Sequence, residues 1–194
     1  MKRIGLFVVL GLVLILFFWG CSGYNGIVSQ DENVKKAWNN VQAEYQNRSD
    51  LVPNLVNTVK GAANFEQETL TKVVEARAKA TSVQVKAEDL TPEKLQQFQA
   101  AQNQLSGALS RLLVTVEKYP ELKAVQGFQD LQKQLEGIEN NIKNSRKVFN
   151  EAVNTYNVKV RSFPMNIFAG MFGFKTKEGF AADKGAEKAP EVKF

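Results

Sequence analysis

The sequence predicts an all-α protein, an antiparallel up-and-down four-helix bundle preceded by an N-terminal membrane-anchor helix. Three observations lead to this fold class. Apolar residues recur at steps of three and four from Asn33 onward, only five prolines interrupt the 194 residues, and Ile4 to Trp19 is almost purely apolar. Steps of three and four place side chains on one face of a helix, and no alternating strand pattern competes with them.

The first element is the apolar segment. Between Lys2-Arg3 and Asp31 the only ionisable side chains are those of Cys21 and Tyr24. About 20 apolar residues are needed to cross a bilayer core as a helix, and Ile4 to Gly23 reaches that length. Three interpretations stay open: an uncleaved transmembrane anchor, which we favour; a lipoprotein signal with lipidation at Cys21; and a cleaved secretory signal.

The basic residues give the orientation of this anchor. Lys2 and Arg3 precede the span directly, whereas the next basic residues, Lys35 and Lys36, come well after it. The positive-inside bias then predicts a cytoplasmic N-terminus and a body on the outer, periplasmic side.

The next two predicted helices are separated by a proline. Val34, Trp38, Val41 and Tyr45 form the first apolar stripe, and Asp31 is placed to cap its start. Proline disfavours the helical region for the residue before it and lacks a donor, so Pro53 predicts a break or kink near residues 47–52. The second helix runs on from Leu55 to Ala80, with Gly61 as a weak point of about 1 kcal/mol relative to alanine.

Two long helices follow. Residues 81–92 lose the period, and Pro92 after Thr91 is typical of a helix start. The third helix carries a heptad seam like that of a coiled coil, with one amide: Leu95, Phe98, Gln102, Leu105, Leu109, Leu112 and Val116. After a turn at residues 118–121 the last helix runs from Gly127 to Arg161. Its asparagines could form a polar seam, but a solvated face or a register-fixing amide is the favoured interpretation of Asn140, Asn144, Asn154 and Asn157.

An apolar, glycine-spaced segment follows the last helix. Its aromatic and aliphatic residues must be buried by something, either an end of the bundle or a membrane surface. The predicted organisation is therefore an anchor or lipoprotein signal over residues 1–23, a helical bundle domain over 24–161, an apolar C-terminal segment packing on the bundle or membrane over 162–181, and a disordered tail over 182–194.

Composition narrows the function classes. Residues 31–161 carry 18 basic against 16 acidic groups, which is not a nucleic-acid footprint. Histidine is absent, which removes the commonest general base and the histidine-containing triads, zinc sites and di-iron sites. No glycine-rich phosphate loop occurs either. We therefore expect no enzyme activity, no catalytic residues, no cofactor and no metal site.

Several motifs together resemble the LemA family. They are Tyr24-Asn25, Trp38, Asp50-Leu51-Val52-Pro53-Asn54-Leu55-Val56, Lys60-Gly61, Glu66, Tyr119-Pro120-Glu121-Leu122, Glu139-Asn140, Arg146, Tyr156-Asn157, Phe163-Pro164 and Gly173-Phe174. The match covers about Tyr24 to Phe180. Where the family usually has an arginine pair before the aspartate, this chain has Asn47-Arg48. The family's tyrosine and histidine after Lys-Gly are absent here, so no role of theirs is carried over.

The resemblance implies a bacterial cell-envelope protein with an N-terminal membrane segment and an antiparallel bundle of bromodomain-like topology. The family has no established catalytic activity, and some relatives occur in magnetosome membranes. Besides Cys21, the candidate interaction or structural residues are Trp38, Asp50, Pro53, Glu66, Tyr119, Pro120, Glu139, Arg146, Phe163, Pro164 and Phe174.

Two functions follow as hypotheses. The first is a membrane-tethered scaffold or interaction protein, whose partners are membrane lipid and envelope proteins that include further copies of itself, and not nucleic acid. The alternative is a lipid-interacting or membrane-shaping module that acts through the Phe163 to Phe180 segment. Should Asp50 or Glu139 pair with Arg146 across helices, a structural ion pair is the favoured interpretation.

Overall fold

The computed structural model describes the backbone of residues 2–61 and 65–181, and within those ranges the side chains of residues 10, 11, 20 and 22 onward. The elements are α1 (Lys2–Lys60), α2 (Gln67–Ser82), a 3-10 turn (Ala87–Asp89), α3 (Pro92–Val116), α4 (Pro120–Lys123), α5 (Gln126–Arg161) and α6 (Met165–Phe172). These described residues contain no strand, so the predicted all-α class is confirmed.

Two predicted segments lie largely beyond this description. The anchor over Ile4 to Gly23, with Cys21, falls mostly on side chains outside the described set, and the tail over residues 182–194 lies outside it altogether. Across the described part of the chain, no helix has both the length and the apolar character that crossing a bilayer requires.

The predicted helix start at Asp31 and the predicted break near residues 47–52 are wrong. α1 is one helix of 59 residues that contains both positions and has Pro53 inside it. Proline has no N–H for the carbonyl four residues earlier, here that of Ser49. The Arg77 side chain of α2 supplies the missing donor, because its Nε lies 2.8 Å from the Ser49 carbonyl oxygen.

The break lies instead between α1 and α2, at residues 61–66, so the predicted second helix from Leu55 to Ala80 is split. Glycine weakens a helix at residue 61. The reversal there brings the buried stripe of α2, with Leu70 and Val73, into the same apolar cluster as Leu55 and Val59 of α1. In a single straight helix those two stripes would lie at different heights along the axis and could not contact each other.

The predicted start and seam of α3 are confirmed. Pro92 is the first residue of α3, and the hydroxyl of the N-cap Thr91 accepts a hydrogen bond from the Lys94 amide at 3.3 Å. All seven predicted seam residues of α3 are buried. The seam amide, Gln102, donates to the Ala80 carbonyl of α2 at 3.3 Å.

Side-chain contacts give the relative direction of the long helices. Along α1, Trp38 meets Phe149 of α5 and Arg48 meets Glu139, so the residue number rises on one helix while it falls on the other. These two helices are therefore antiparallel. α2 and α3 are likewise antiparallel. Gln102 of α3 contacts Ala80 near the end of α2, whereas Lys118, just after α3, reaches Glu66 just before the start of α2.

After α5 the chain turns back towards the middle of the body. Phe163-Pro164 is joined by a cis peptide bond and leads into α6, which ends at Gly173 with a φ of 78°. Glycine tolerates this left-handed conformation, and the Gly173 amide closes α6 on the Ala169 carbonyl. The following residues 174–181, here called the strap, return along α5 in a non-helical conformation.

Candidate functional site

The predicted site residues are spread over the body and do not form one site. Trp38, Glu139 and Arg146 lie near the middle of the bundle, around the end of the strap and an adjoining groove. Phe163, Pro164 and Phe174 lie around α6. Glu66, Tyr119 and Pro120 lie at the opposite end of the body. Asp50 and Pro53 lie on α1, and Cys21 is outside the described side chains.

Trp38 is the centre of an aromatic cluster that the strap completes. Its side chain is fully buried and its Nε1 donates to the Val85 carbonyl at 2.8 Å, which fixes the α2–α3 linker to α1. The ring of Phe98 lies 5.2 Å away, that of Phe149 5.4 Å, and that of Phe180 from the strap 6.0 Å. The buried Phe180 thus places the strap against α1 and α5.

The strap is held mainly through its backbone. The Asn157 side chain donates to the Lys177 carbonyl and accepts from the Lys177 amide, both at 2.8 Å. Asn150 repeats the pattern at Phe180, donating to its carbonyl at 3.2 Å and accepting from its amide at 2.8 Å. Each asparagine therefore replaces the two hydrogen bonds that a neighbouring strand would offer.

Two further side chains bind strap carbonyls. The Tyr156 hydroxyl of α5 donates to the Lys175 carbonyl at 2.9 Å. Arg146 donates to the Ala181 carbonyl at 3.4 Å, and its guanidinium stacks 4.6 Å from the centre of the Phe180 ring. The α5 face that faces the strap is thus a row of polar side chains directed at main-chain atoms. We call this row, with the pocket for Phe180, the cleft.

The strap also needs glycine at one position. A Cβ added to Gly179 would come within 2.6 Å of the Asn150 Oδ1 atom. That oxygen accepts the hydrogen bond from the Phe180 amide, so it could withdraw only by losing that bond. Gly179 therefore allows the close approach on which the Asn150 contacts depend.

One ion pair joins the strap to α1. Lys177 Nζ lies 2.8 Å from an Asp31 carboxylate oxygen, and both side chains are less than a fifth exposed. Burial opposes ionisation of Asp31, but the hydrogen bonds and charges of Lys177 and Lys35 outweigh it and hold the pKa of the carboxyl below its ordinary value. Burial, with the Asp31 charge, raises the pKa of the neighbouring Tyr156 to about 12.

A polar groove opens where the strap ends. It has a volume of about 970 Å³ and lies between α3 and α5, with Gln99, Asn103 and Ser106 on one wall and Glu139 and Arg146 on the other. Ala181 lies at its edge, where the carbonyl also accepts from Gln99 at 3.5 Å.

Arg48 of α1 forms the floor of this groove and is nearly fully buried. Its guanidinium donates to Ser106, Glu139 and Gln102 at distances between 2.7 and 3.1 Å. The Tyr45 ring lies 4.9 Å away. Arg48 Nε has no hydrogen-bond partner among the described residues. Glu139 thus pairs with Arg48 and not, as considered from the sequence, with Arg146.

Around α6 an apolar face stays open. On one side of α6, Ile167 is 54% exposed and Met171, one turn later, is 73% exposed, and Phe163 in the turn before α6 is 81% exposed. The opposite side of α6 packs on α1. There Met165 lies against Gly23, and Phe168 lies against Gly20. Tyr24 lies between the rings of Phe172, at 4.9 Å, and Phe174, at 5.7 Å.

At the far end, contacts of Glu66 and Tyr119 are structural. Glu66 accepts from the Thr69 hydroxyl in the first turn of α2 at 3.2 Å, and Tyr119 packs on Phe65 with ring centres 5.0 Å apart. Pro120 is the first residue of α4. Asp50 is exposed and accepts from Gln46 one turn earlier. None of these positions lines the groove or the cleft.

Sequence reasoning missed the residues that make the cleft and the groove floor. No sequence motif points to Asn150, the sequence predicts a solvated or register-fixing role for Asn157, and Arg48 falls in the predicted helix break. A signal for Arg48 does exist, because Tyr45, Arg48, Val52 and Leu55 continue the step of three and four across the supposed break. No group of acidic, histidine or cysteine side chains able to hold a metal ion occurs in the described part of the chain.

Comparison with known proteins gives one family. The model of the LemA family matches residues 37–194. The chain is 26% identical over 186 residues to "Magnetosome protein MamQ 2" of Paramagnetospirillum magneticum, covering 87% of this chain and 68% of that protein. It is 24% identical over 159 residues to "Protein LemA" of Metamycoplasma hominis, covering 81% and 69%. To "Magnetosome protein MamQ" of Magnetospirillum gryphiswaldense it is 27% identical over 174 residues, covering 81% and 64%.

Proposed function

The chain belongs to the LemA family, and from this premise we propose that it is a membrane-tethered helical scaffold of the bacterial cell envelope, without catalytic activity. Its N-terminal apolar segment anchors it, with the N-terminus in the cytoplasm and the body outside. Its partners are membrane lipid and envelope proteins, and it does not bind nucleic acid. The relatives named as magnetosome proteins support a role in membrane organisation by analogy.

The observation that carries the proposal is the open apolar face of α6. Phe163, Ile167 and Met171 are each more than half exposed. They lie at the end of the body where α6 packs on Gly20 and Gly23, directly after the apolar N-terminal sequence. An apolar face beside an anchor is the arrangement expected of a body that rests on the membrane interface.

Charge supports the same placement. Arg161 and Lys175 flank α6 in the sequence and are exposed. Lysine and arginine beside an apolar face are attracted to anionic lipid head groups by about 1 kcal/mol each near the surface. The membrane-facing end of the body is thus both apolar and basic.

The contacts between the long helices support the finer topology of the scaffold. We infer that α1, α2, α3 and α5 make the predicted up-and-down four-helix bundle of bromodomain-like topology, because α1 packs antiparallel to α5 and α2 packs antiparallel to α3. Its sides differ: α1 and α5 pack closely, whereas the polar groove separates α3 from α5. The domain over residues 24–161 and the C-terminal segment over 162–181 then form one body through the strap.

The absence of reactive groups favours a scaffold over an enzyme. The chain has no histidine, and its most buried charge, Arg48, is directed at structural partners. Lysines and carboxylates elsewhere in the described residues form short-range ion pairs on the surface, such as Lys35 with Glu32. Pairs of this kind contribute little and are common on solvated helices.

The test places a reporter on α6 of the full-length chain. Ile167→Trp in proteoliposomes should give blue-shifted fluorescence that brominated lipids quench more strongly than that of the parent chain. Val114→Trp on α3, whose parent residue is 67% exposed, is the matched control, and brominated lipids should quench its added tryptophan no more than the tryptophans of the parent chain. Equal quenching of the two variants, or none, would contradict the proposal.

The alternative function, a lipid-interacting or membrane-shaping module, is favoured by the same face of α6. In this alternative function, the face of α6 binds the membrane without help from the N-terminal anchor. Liposome flotation of the body without residues 1–23 separates the two: flotation that Ile167→Glu and Met171→Glu abolish supports the module. A body that stays with the soluble fraction, while the full chain floats, supports the tethered scaffold.

A further inference from the structure

We propose that the polar groove between α3 and α5 is the docking site of the three residues that follow the strap, Ala182, Asp183 and Lys184. These residues lie outside the described part of the chain. In the proposal they continue the path of the strap along α5 and fill the space between the two helices. The inference goes beyond the scaffold function and does not depend on contact with a membrane.

The first step is the place where the strap ends. The Ala181 carbonyl accepts from Gln99 on the α3 wall of the groove and from Arg146 on the α5 wall. The groove then extends by seven residues along each wall, to Ser106 on α3 and to Glu139 on α5. The next residue of the chain therefore starts between the two walls.

The second step is the direction and register of the strap. Asn157 holds Lys177, and Asn150 holds Phe180, so residue numbers rise along the strap while they fall along α5. Three residues of the strap thus pass seven residues of α5. Three extended residues span about 10 Å and seven helical residues about 10.5 Å, so the two lengths match and the register repeats along the helix.

The third step extends this register into the groove. Three residues beyond Phe180 is Asp183, which comes level with Lys143, the exposed residue seven positions before Asn150 on α5. Lys184 follows and comes within side-chain reach of Glu139, one turn further along α5. An acidic residue thus meets a basic one and a basic residue meets an acidic one.

The fourth step is the share of the free energy that each contact supplies. Ion pairs at an exposed site contribute little each, so the two charge pairs select the register more than they hold the segment. Docking is favoured chiefly by covalent continuity, because Ala181 is already fixed and the next residues are held at a high effective concentration. The chain's own segment therefore has the advantage over any other polypeptide that could enter the groove.

The consequence is a clamp between two helices that the groove keeps apart. With residues 182–184 in place, α3 and α5 contact the same polypeptide segment over the length of the groove. The disordered tail predicted from the sequence over residues 182–194 then begins after Lys184.

The test measures how well the groove is covered. Full-length chain with Cys21→Ser carries Asn103→Cys, at an exposed position on the α3 wall. Its thiol should react with a bulky maleimide several-fold more slowly than the same thiol in a chain that ends at Ala182. Val114→Cys, 11 residues further along α3 and exposed, is the matched control, and its rate should be the same in both chain lengths.

A charge exchange tests the register. Asp183→Lys should raise the reaction rate at residue 103 towards that of the shortened chain, and the added change Lys143→Asp should slow it again. Equal rates in the full-length and shortened chains would overturn the proposal. A slow rate that ignores both charge changes would overturn the register and with it the assigned site. Protection that falls on dilution would assign the groove to the tail of a second copy, which also overturns docking within one chain.

Discussion

At the scale of single residues, the buried guanidinium of Arg48 determines how the middle of the body holds together. It links α1 to α3 through hydrogen bonds to Gln102 and Ser106, and to α5 through Glu139. A buried charge is tolerated only when it is paired and hydrogen-bonded. Glu139 provides the carboxylate, although its side chain is 39% exposed.

Removing that carboxylate is therefore expected to destabilise the fold. Glu139→Gln leaves Arg48 charged without an opposite charge, and the free energy of unfolding should fall by about 1 to 3 kcal/mol, below the full cost of breaking a buried pair because Glu139 is partly solvated. Denaturant unfolding of the full chain in detergent, followed by helical circular dichroism, measures the change. Asp50→Asn removes an exposed carboxylate nearby and should change stability by less than about 0.5 kcal/mol.

A second prediction at this scale concerns Pro53. In the parent chain Arg77 serves the Ser49 carbonyl that proline leaves open. Arg77→Leu should cost about 1 to 2 kcal/mol, because a buried acceptor then has no partner. In a Pro53→Ala background the cost should be smaller by about 1 kcal/mol, since the alanine amide can bond to Ser49. Equal costs in the two backgrounds would contradict this explanation of the unbroken helix.

The same residues show where prediction from sequence succeeds. The seam of α3 and the start at Pro92 were predictable because periodicity and proline chemistry are local. The break at Pro53 was not, because the donor that repairs it comes from Arg77, 28 positions further along. The cleft was not predictable either, since Asn150 and Asn157 bind main-chain atoms, and such contacts leave no side-chain pattern in the strap.

At the scale of elements, the strap is the least regular part of the body, and its attachment is sensitive to charge. Asp31 and Lys177 join it to α1 at 2.8 Å. A carboxyl with a lowered pKa stabilises the fold at pH values above its ordinary value of 3.8. That stability is lost as the pH falls through the lowered value, when the carboxyl of the folded protein becomes protonated.

Acid should therefore lower the free energy of unfolding of the parent chain more than it lowers that of an Asp31→Asn variant. At neutral pH the variant is expected to be the less stable of the two, and the difference in free energy of unfolding should shrink as the pH falls below 3.8. Denaturant unfolding at several pH values measures both chains. Glu75→Gln is the matched control, since Glu75 is exposed on the surface of α2 away from the strap. A difference that grows with acid would reject the assigned role of the ion pair.

At the scale of the whole molecule, the basic residues Lys2 and Arg3 before the anchor predict the side of the membrane on which the body lies. With the N-terminus in the cytoplasm, a thiol on the body should be accessible from outside. Full-length chain with Cys21→Ser and Val114→Cys should react with a membrane-impermeant reagent once the outer barrier of the cell is opened, while the cytoplasmic membrane stays intact. Labelling only after disruption of the cytoplasmic membrane would reverse the orientation.

The position of the strap along the chain has a consequence for biosynthesis. α1, α3 and α5 all precede it, so the segment that fills the cleft is the last part of the body to leave the ribosome. Until the strap docks, Trp38 and Phe149 lack the cover that Phe180 gives them. Each new copy therefore closes its aromatic cluster only when synthesis is complete.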